Sequence, residues 1–264
     1  MANSLVRKDG PVVGLVRHLR RNFGQATTIG LNLLFPPQCE NCDADLPDNE
    51  DGLLLCADCR VLLGPAVWPG CPTCGGIGEL EGNCSWCREH SLKFDATITL
   101  GGYRQGLSDV VQRMKRPAHD ALSVAMGRLL VKRRREKLSD FRADLVVPIP
   151  MFWTRRLARR TNSPEIIASC LGRELGVPVR RRLLIQRRKT LPQKNLSPRE
   201  RFQNVCGAFA VTRGRRLGGD RVMLVDDTLT TGATCSEAAK MLKQAGASQV
   251  GAVVIARAQG PQAT

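Results

Sequence analysis

At 264 residues with an apolar fraction of 42%, the chain is long enough for one sizeable domain plus a small one. No run approaches the ~20 apolar residues of a membrane span. Arg17, Arg20 and Arg21 interrupt the N-terminal apolar residues, which reads against a signal peptide and leaves a cytoplasmic location as the expectation. A formal charge of +16 points to polyanions or phosphorylated small molecules, with a solvated basic surface as the plain alternative.

Residues 1–35 form a basic arm, with apolar positions such as Val12, Leu15, Leu19, Ile29 and Leu33 spaced for one or two short amphipathic helices. Docking onto the body is the expected role, and membrane-surface binding the alternative. Cysteines then dominate. Of eleven in the chain, eight fall in four Cys-x-x-Cys pairs: Cys39/Cys42 and Cys56/Cys59, then Cys71/Cys74 and Cys84/Cys87. Two intervening residues let both sulfurs of a knuckle face one tetrahedral metal, and two knuckles complete a tetracysteine site. Thiolate softness selects Zn2+ in a reducing compartment. Residues 36–93 therefore read as a double zinc ribbon with two structural zinc ions and no open ligand position. Pairing in sequence order is assumed, with crossed pairing as the alternative. Bound metal would bring the net charge to roughly +12. His90 reads as a solvated histidine rather than a spare ligand. The isolated Cys170, Cys206 and Cys235 read as buried small side chains rather than nucleophiles.

The remaining residues, 94–264, alternate strand and helix signals, which predicts an α/β domain. Phe94 to Gly102 reads as the entering strand. A helix follows from Leu107 to Lys115, with Leu107, Val110, Val111 and Met114 on its core side and Pro117 as its stop. A second helix over Ala121–Val131 runs into the basic stretch 132–137, read as a solvated helix end. Asp144 to Pro150 is a buried strand. Ser163 and Pro164 are placed as N-cap and N1 of a helix closed by Gly176. Val179–Ile185 reads as an edge strand, and the polar, basic residues 186–197 as a mobile lid. Ser197 and Glu200 form a capping box. Phe209–Val211 is a brief strand, Val250–Ala256 the last one, and 258–264 a frayed tail.

Between these lies Val222-Met-Leu-Val-Asp-Asp-Thr-Leu-Thr-Thr-Gly-Ala-Thr234. Val222–Val225 reads as a buried parallel strand, and a helix starts at Ala233, with Gly246 at its C′ position. The turn between them places backbone N–H groups at a helix N-terminus, which attracts phosphate. Thr228, Thr230, Thr231 and Thr234 add hydroxyls, and Gly232 lets the backbone approach closely. Asp226 and Asp227 stand at the strand's C-terminal end, where open α/β sheets bind ligands. Two adjacent carboxylates can each accept a hydrogen bond from one hydroxyl of a vicinal diol. A ribose phosphate meets both halves of that description, and the stretch resembles the 5-phosphoribosyl-1-pyrophosphate (PRPP) motif of type I phosphoribosyltransferases.

The order of double zinc ribbon followed by phosphoribosyltransferase-like domain resembles the ComF family of competence proteins over about residues 31–257. Besides the cysteines, the resemblance rests on Gly102-Tyr103, Val147-Pro-Ile-Pro150, Gln193, Leu196, Arg201, Asn204-Val205, Gly207-Ala-Phe209 and the stretch 224–234. It implies a type I phosphoribosyltransferase-like, Rossmann-type parallel sheet flanked by helices. Asp226 and Asp227 would hold the ribose hydroxyls, and Thr228, Thr230, Thr231, Gly232, Ala233 and Thr234 the 5-phosphate. Mg2+ would bridge pyrophosphate and diol oxygens, and Lys189, or Arg187 or Arg188, would close over the pyrophosphate. The family's Arg-Gly-Phe-Asn-Gln stretch stands here as Arg159-Arg-Thr-Asn-Ser163, so only Arg159 and Asn162 carry over. A PRPP-dependent transferase is one implied function. The other is a non-catalytic adaptor in which the ribbons and the basic runs 132–137 and 180–189 contact single-stranded DNA or a competence helicase.

Overall fold

The computed structural model describes residues 37–46, 51–77, 84–104, 106–154, 161–193 and 196–258. The expected N-terminal arm, Arg159 and residues 259–264 lie outside the described residues. Within them the chain runs α1 (Ala57–Leu63), α2 (Ser85–Glu89), β1 (Ala96–Gly102), α3 (Leu107–Met114) and α4 (Asp120–Asp140). It continues through β2 (Leu145–Pro148), α5 (Ser163–Leu175), β3 (Leu184–Gln186), α6 (Pro198–Val205) and β4 (Phe209–Val211). β5 (Arg221–Leu229), α7 (Ala233–Gln244) and β6 (Gln249–Arg257) complete it.

A parallel sheet in the order β1-β6-β5-β2 forms the centre. Strand residues alternate between its faces. Met223 and Val225 pack with α3, α4 and α5 on one side, while Val222 and Leu224 pack with α7 on the other. Both faces are thus covered, as an all-parallel sheet requires, and this explains the unbroken apolar run that opens β5. β3 and β4 form a separate antiparallel pair. The expected single strand over Val179–Ile185 is therefore two pieces. Val179 bridges to Val146 at the edge of the main sheet, a turn through the arginines follows, and only Leu184–Gln186 pairs with β4.

Two helix boundaries differ from expectation for identifiable reasons. Asn162, not Ser163, is the N-cap of α5, because the Ser163 hydroxyl turns inward to donate to the Met114 carbonyl at 2.7 Å. α4 runs on through the basic stretch to Asp140, because Val131, Arg134 and Leu138 continue its buried stripe at helical spacing. Arg134 is buried in that stripe and is not a solvated helix end. Its Nε donates to the Thr99 carbonyl at 2.9 Å and its Nη2 to Leu100 at 2.6 Å and Pro65 at 3.0 Å. Nη1 donates to Ala66 at 2.9 Å. One guanidinium thereby joins the end of β1 to the Cys-rich segment. Neighbouring cations do the same: Lys132 pairs with Asp51 at 2.9 Å, and Arg113 on α3 donates to the Asn41 and Glu40 carbonyls, each at 2.8 Å.

Truncating Arg134 leaves several buried carbonyls without donors. Arg134→Met is expected to cost about 2–4 kcal/mol in urea unfolding of the zinc-loaded protein. A loss within experimental error of zero would show that this clamp is dispensable.

Candidate functional site

Two tetracysteine clusters stand at the start of the described chain. The sulfurs of Cys39, Cys42, Cys56 and Cys59 lie within 4.8 Å of one another, and so do those of Cys71, Cys74, Cys84 and Cys87. Pairing therefore follows sequence order, and the crossed alternative falls. Specific separations are 3.7 Å for Cys42–Cys56, 3.8 Å for Cys71–Cys87 and 3.6 Å for Cys74–Cys84. A tetrahedron with Zn–S bonds of about 2.3 Å requires sulfurs about 3.8 Å apart. The donor set and its spacing fit structural Zn2+, and each cluster offers four protein ligands with no position left for substrate. His90 is outside both cysteine clusters, as expected, and is half-buried rather than fully solvated. Its ring stacks on Trp86 at 3.9 Å and on Phe202 at 5.5 Å, tying α2 to α6. Of the isolated cysteines, Cys170 and Cys235 are buried as expected, whereas Cys206 is exposed past the end of α6.

The second candidate site lies where β5 hands over to α7. β5 extends beyond the expected Val225 through Asp226 and Asp227 to Leu229, because Thr228 and Leu229 still pair with β6. Asp226 accepts a hydrogen bond from the Asp227 amide at 2.8 Å, and the Asp227 carboxylate faces Lys115 Nζ at 3.6 Å. Burial, and after it the adjacent Asp227 carboxylate, push the Asp226 carboxyl up to about 8 against the opposing pull of Lys115.

Gly232 has φ +84°, and a Cβ there would sit 3.1 Å from Leu92 Cδ2 and 3.4 Å from Phe94 Cζ, so the turn needs glycine for conformation and space. The Thr231 hydroxyl accepts from the Ala233 amide at 3.3 Å. Among the described residues, the amides of Thr230, Thr231, Gly232 and Thr234 have no acceptor, and the buried Thr228 hydroxyl has no hydrogen-bond partner. Amides of a helix's first turn have no partner within the helix, so these are available to a ligand, and the buried Thr228 hydroxyl is a polar group of the kind that is rarely left unpaired.

Thr228, Thr230, Gly232 and Thr234 line a cavity of about 660 Å³, walled also by Tyr103, Lys115, Gln193 and Arg201, whereas the expected site residue Thr231 is buried behind it and does not line it. A smaller recess of about 170 Å³ adjoins it and shares both aspartates. Ile149, Met151, Asn162 and Phe209 line its far side, and the Asn162 Nδ2 is a second buried donor without a partner. Gln193 Nε2 donates to the Thr234 hydroxyl at 3.1 Å. The expected lid behaves differently. Lys189 is exposed and does not line the cavity. Arg188 Nη2 donates to the carbonyls of Asn204 at 2.9 Å and Cys206 at 2.5 Å, and Asn204 also pairs with the Leu191 backbone. Lys115 is the cation that the fold brings to the acids. In the sequence it is the end of the helix that follows Gly102-Tyr103 in the family resemblance, and no local pattern there assigns a lysine one residue past a buried methionine to the site.

An α/β protein with a paired-acid, hydroxyl-rich cavity and two tetracysteine zinc-binding clusters is the class that this geometry defines. Residues 30–90 match the double zinc ribbon domain. The chain is 28% identical to Competence protein F of Haemophilus influenzae over 226 residues, covering 84% of this chain and 97% of that protein. It is 29% identical to DNA utilization protein YhgH of Salmonella typhi, over 68% and 80% of the two chains. With Competence protein ComFC of Bacillus subtilis it shares 25% identity over 73% and 79%. Along most of its length the chain is similar to competence proteins of the ComF type. Among solved structures, a glutamine PRPP amidotransferase from B. subtilis overlaps 56% of this chain and 30% of its own, with 22% identity and a TM-score of 0.35, too slight to define a shared fold.

The raised carboxyl has a measurable consequence. Between about pH 4 and pH 8 the unfolded chain releases the Asp226 proton that the folded chain retains, so stability falls with pH across that window and levels off above it. Asp226→Asn is expected to remove this slope and to be about 1–2 kcal/mol more stable than wild type at pH 8.5 in chemical denaturation. A variant less stable than wild type at that pH would refute the assignment.

Proposed function

We propose that the cavity between β5 and α7 binds a ribose 5-phosphate ligand, PRPP with Mg2+, and that the chain is a phosphoribosyltransferase-like protein acting in DNA uptake. The observation that carries this reading is the coincidence of acceptor-less amides and an orphaned hydroxyl with two adjacent carboxylates. The amides of Thr230, Gly232 and Thr234 and the Thr228 hydroxyl supply donors for a terminal phosphate at the N-terminus of α7. Asp226 and Asp227 accept hydrogen bonds from the 2- and 3-hydroxyls. Mg2+ beside Asp226 and Asp227 would supply charge neutralisation for a bound pyrophosphate group.

Lys115 then moves from Asp227 toward the pyrophosphate, a shift of one flexible side chain. Lys189 reaches the same group only if the Arg188 and Asn204 contacts let go, so Lys115 is the resident cation and Lys189 a secondary one. Catalysis in this scheme comes from positioning and charge neutralisation around an oxocarbenium-like C1. Among the described cavity residues no histidine stands by as a base for an acceptor. The recess beside Asn162, walled by Ile149, Met151 and Phe209, is the space left for that acceptor.

A second reading is favoured by a separate observation. Arg180, Arg181, Arg182, Arg215 and Arg216 converge on a groove of about 880 Å³ at the opposite ends of β2 and β5, beside Asp144 and Asp220. The stretch 132–137 contributes less to polyanion binding than its composition implies, since Lys132, Arg133 and Arg134 contact the Cys-rich segment. The relatives' names, competence protein and DNA utilization protein, fit a groove for a nucleic-acid backbone.

Calorimetry with PRPP and Mg2+ tests the first reading. Wild type is expected to release heat with an affinity that rises between pH 6.5 and 8.5, as Asp226 gives up its proton. Asp226→Asn/Asp227→Asn is expected to be silent, and Lys115→Met to bind about tenfold more weakly. No heat from folded, zinc-loaded wild type would sink the proposal. For the groove, affinity for a single-stranded oligonucleotide should fall steeply with salt and be lost on Arg180→Glu/Arg215→Glu, with PRPP binding retained. An unchanged oligonucleotide affinity would remove the groove from consideration.

A further inference from the structure

The last residue of β6, Arg257, lies between the second tetracysteine cluster and the cavity loop, and is 2% exposed. Its Nε donates to the Cys74 carbonyl at 2.6 Å. Its Nη1 donates to the Leu229 carbonyl at 3.1 Å and also to those of Thr230 and Ala258. A guanidinium with this little water needs both acceptors and a balancing negative charge. Carbonyls supply the first. Among the described residues no carboxylate supplies the second. A point 3.5 Å from Cys74 Sγ and 3.6 Å from Arg257 Nη2 lies where a Cβ on Gly76 would be, so sulfur and guanidinium face each other across a glycine. Four thiolates around one Zn2+ carry a net charge of −2, which is the missing counter-charge.

The rest of the knuckle is fixed independently of Arg257. The Gly75 amide donates to the Cys71 carbonyl at 2.7 Å and Trp68 Nε1 to the Gly75 carbonyl at 2.9 Å. Thr97 on β1 holds the Thr73 carbonyl at 2.7 Å through its hydroxyl. The knuckle is thus a firm anchor, and Arg257 reaches from it to the two residues at which β5 becomes the loop. We propose that Arg257 is a positioning residue that couples the second tetracysteine centre to the loop 229–234, so that the zinc-loaded centre holds the loop amides in their ligand-ready arrangement. The ligand arm of this inference rests on the ribose-phosphate reading above; the zinc and loop arms do not.

The test compares zinc-loaded wild type with Arg257→Gln, Arg257→Lys, Cys84→Ser/Cys87→Ser and, as control, Cys42→Ser/Cys56→Ser. Three quantities are measured: zinc transfer to a chromogenic chelator, hydrogen exchange without ligand of the Ala233, Ser236 and Ala258 amides, which bond to Thr231, Gly232 and Leu229 of the loop, and PRPP binding. Arg257→Gln is expected to release one of the two zinc ions about tenfold faster, and to raise loop exchange about fivefold or more. Arg257→Lys is expected to restore slow zinc release, since it keeps the charge, but not loop protection, since one ammonium does not span the same carbonyls. Cys84→Ser/Cys87→Ser, in which Arg257 is intact, is expected to raise loop exchange as well, and the control is not.

Wild-type zinc release from Arg257→Gln, or loop exchange unmoved by loss of the second zinc, would overturn the coupling. Should Arg257→Gln fail to fold, the cysteine variants decide by the same exchange readout. Absence of PRPP binding by wild type would count against the ligand reading alone, because exchange and zinc release still report on Arg257.

Discussion

A parallel sheet must release its strands at their C-terminal ends while the backbone there is still buried, and the amides and carbonyls freed at that edge need partners. Two arginines answer this for the carbonyls. Arg134 takes those of Thr99 and Leu100 as β1 ends, and Arg257 takes those of Leu229 and Thr230 as β5 ends. Both also hold carbonyls of the Cys-rich segment, at Pro65 and Ala66 and at Cys74. The amides of Thr230, Gly232 and Thr234 get no such help. Carbonyls satisfied and amides left open is an arrangement suited to an anion, and it sits beside two carboxylates suited to hydroxyl donors.

This division also accounts for where the chain's positive charge goes. A formal +16 invites the picture of a basic surface, yet several of the cations are internal fastenings. Arg113 and Arg128 from α3 and α4 reach the backbone at Glu40, Asn41 and Gly52, and Lys132 and Arg60 share Asp51. Small Cys-rich modules bury little apolar surface of their own, so docking through backbone carbonyls is an economical way to hold one on a larger body. Among the other cations, five arginines surround a single groove at the opposite strand ends from the acid pair.

Local pattern made the strand–loop–helix at 222–244 legible, because an apolar run, two acids, a hydroxyl-rich turn with glycine and an alanine-rich helix each carry an independent signal. The cysteine spacing fixed ligand identity for the same reason. Residues whose role depends on what lies across the fold were not legible. Arg134 and Arg257 look like ordinary charged positions in a helix and at a strand end, and only the tertiary structure shows that each occupies an interior site. Lys115 faces Asp227 from more than a hundred residues away in sequence, from the C-terminal end of α3, which packs beside β6. The reading of 186–197 as a lid failed to anticipate Arg188 and Asn204, whose partners belong to the segment itself and to α6.

The two tetracysteine centres approach the cavity from different sides. The first is held by Asn41, whose Nδ2 donates to Cys59 Sγ at 3.2 Å and whose carbonyl accepts from Arg113, two residues before Lys115. The second reaches the loop through Cys74 and Arg257. One centre therefore braces the helix that carries the cation facing the acids, and the other braces the turn that carries the free amides. Metal binding and folding of such modules are one equilibrium, so zinc is expected to steady both contacts. On the second side the hydrogen bonds run from the knuckle through Arg257 to Leu229 and Thr230 of the cavity loop. On the first they run from Cys59 through Asn41 to Arg113, and the helix backbone carries the rest of the way to Lys115 beside the acids.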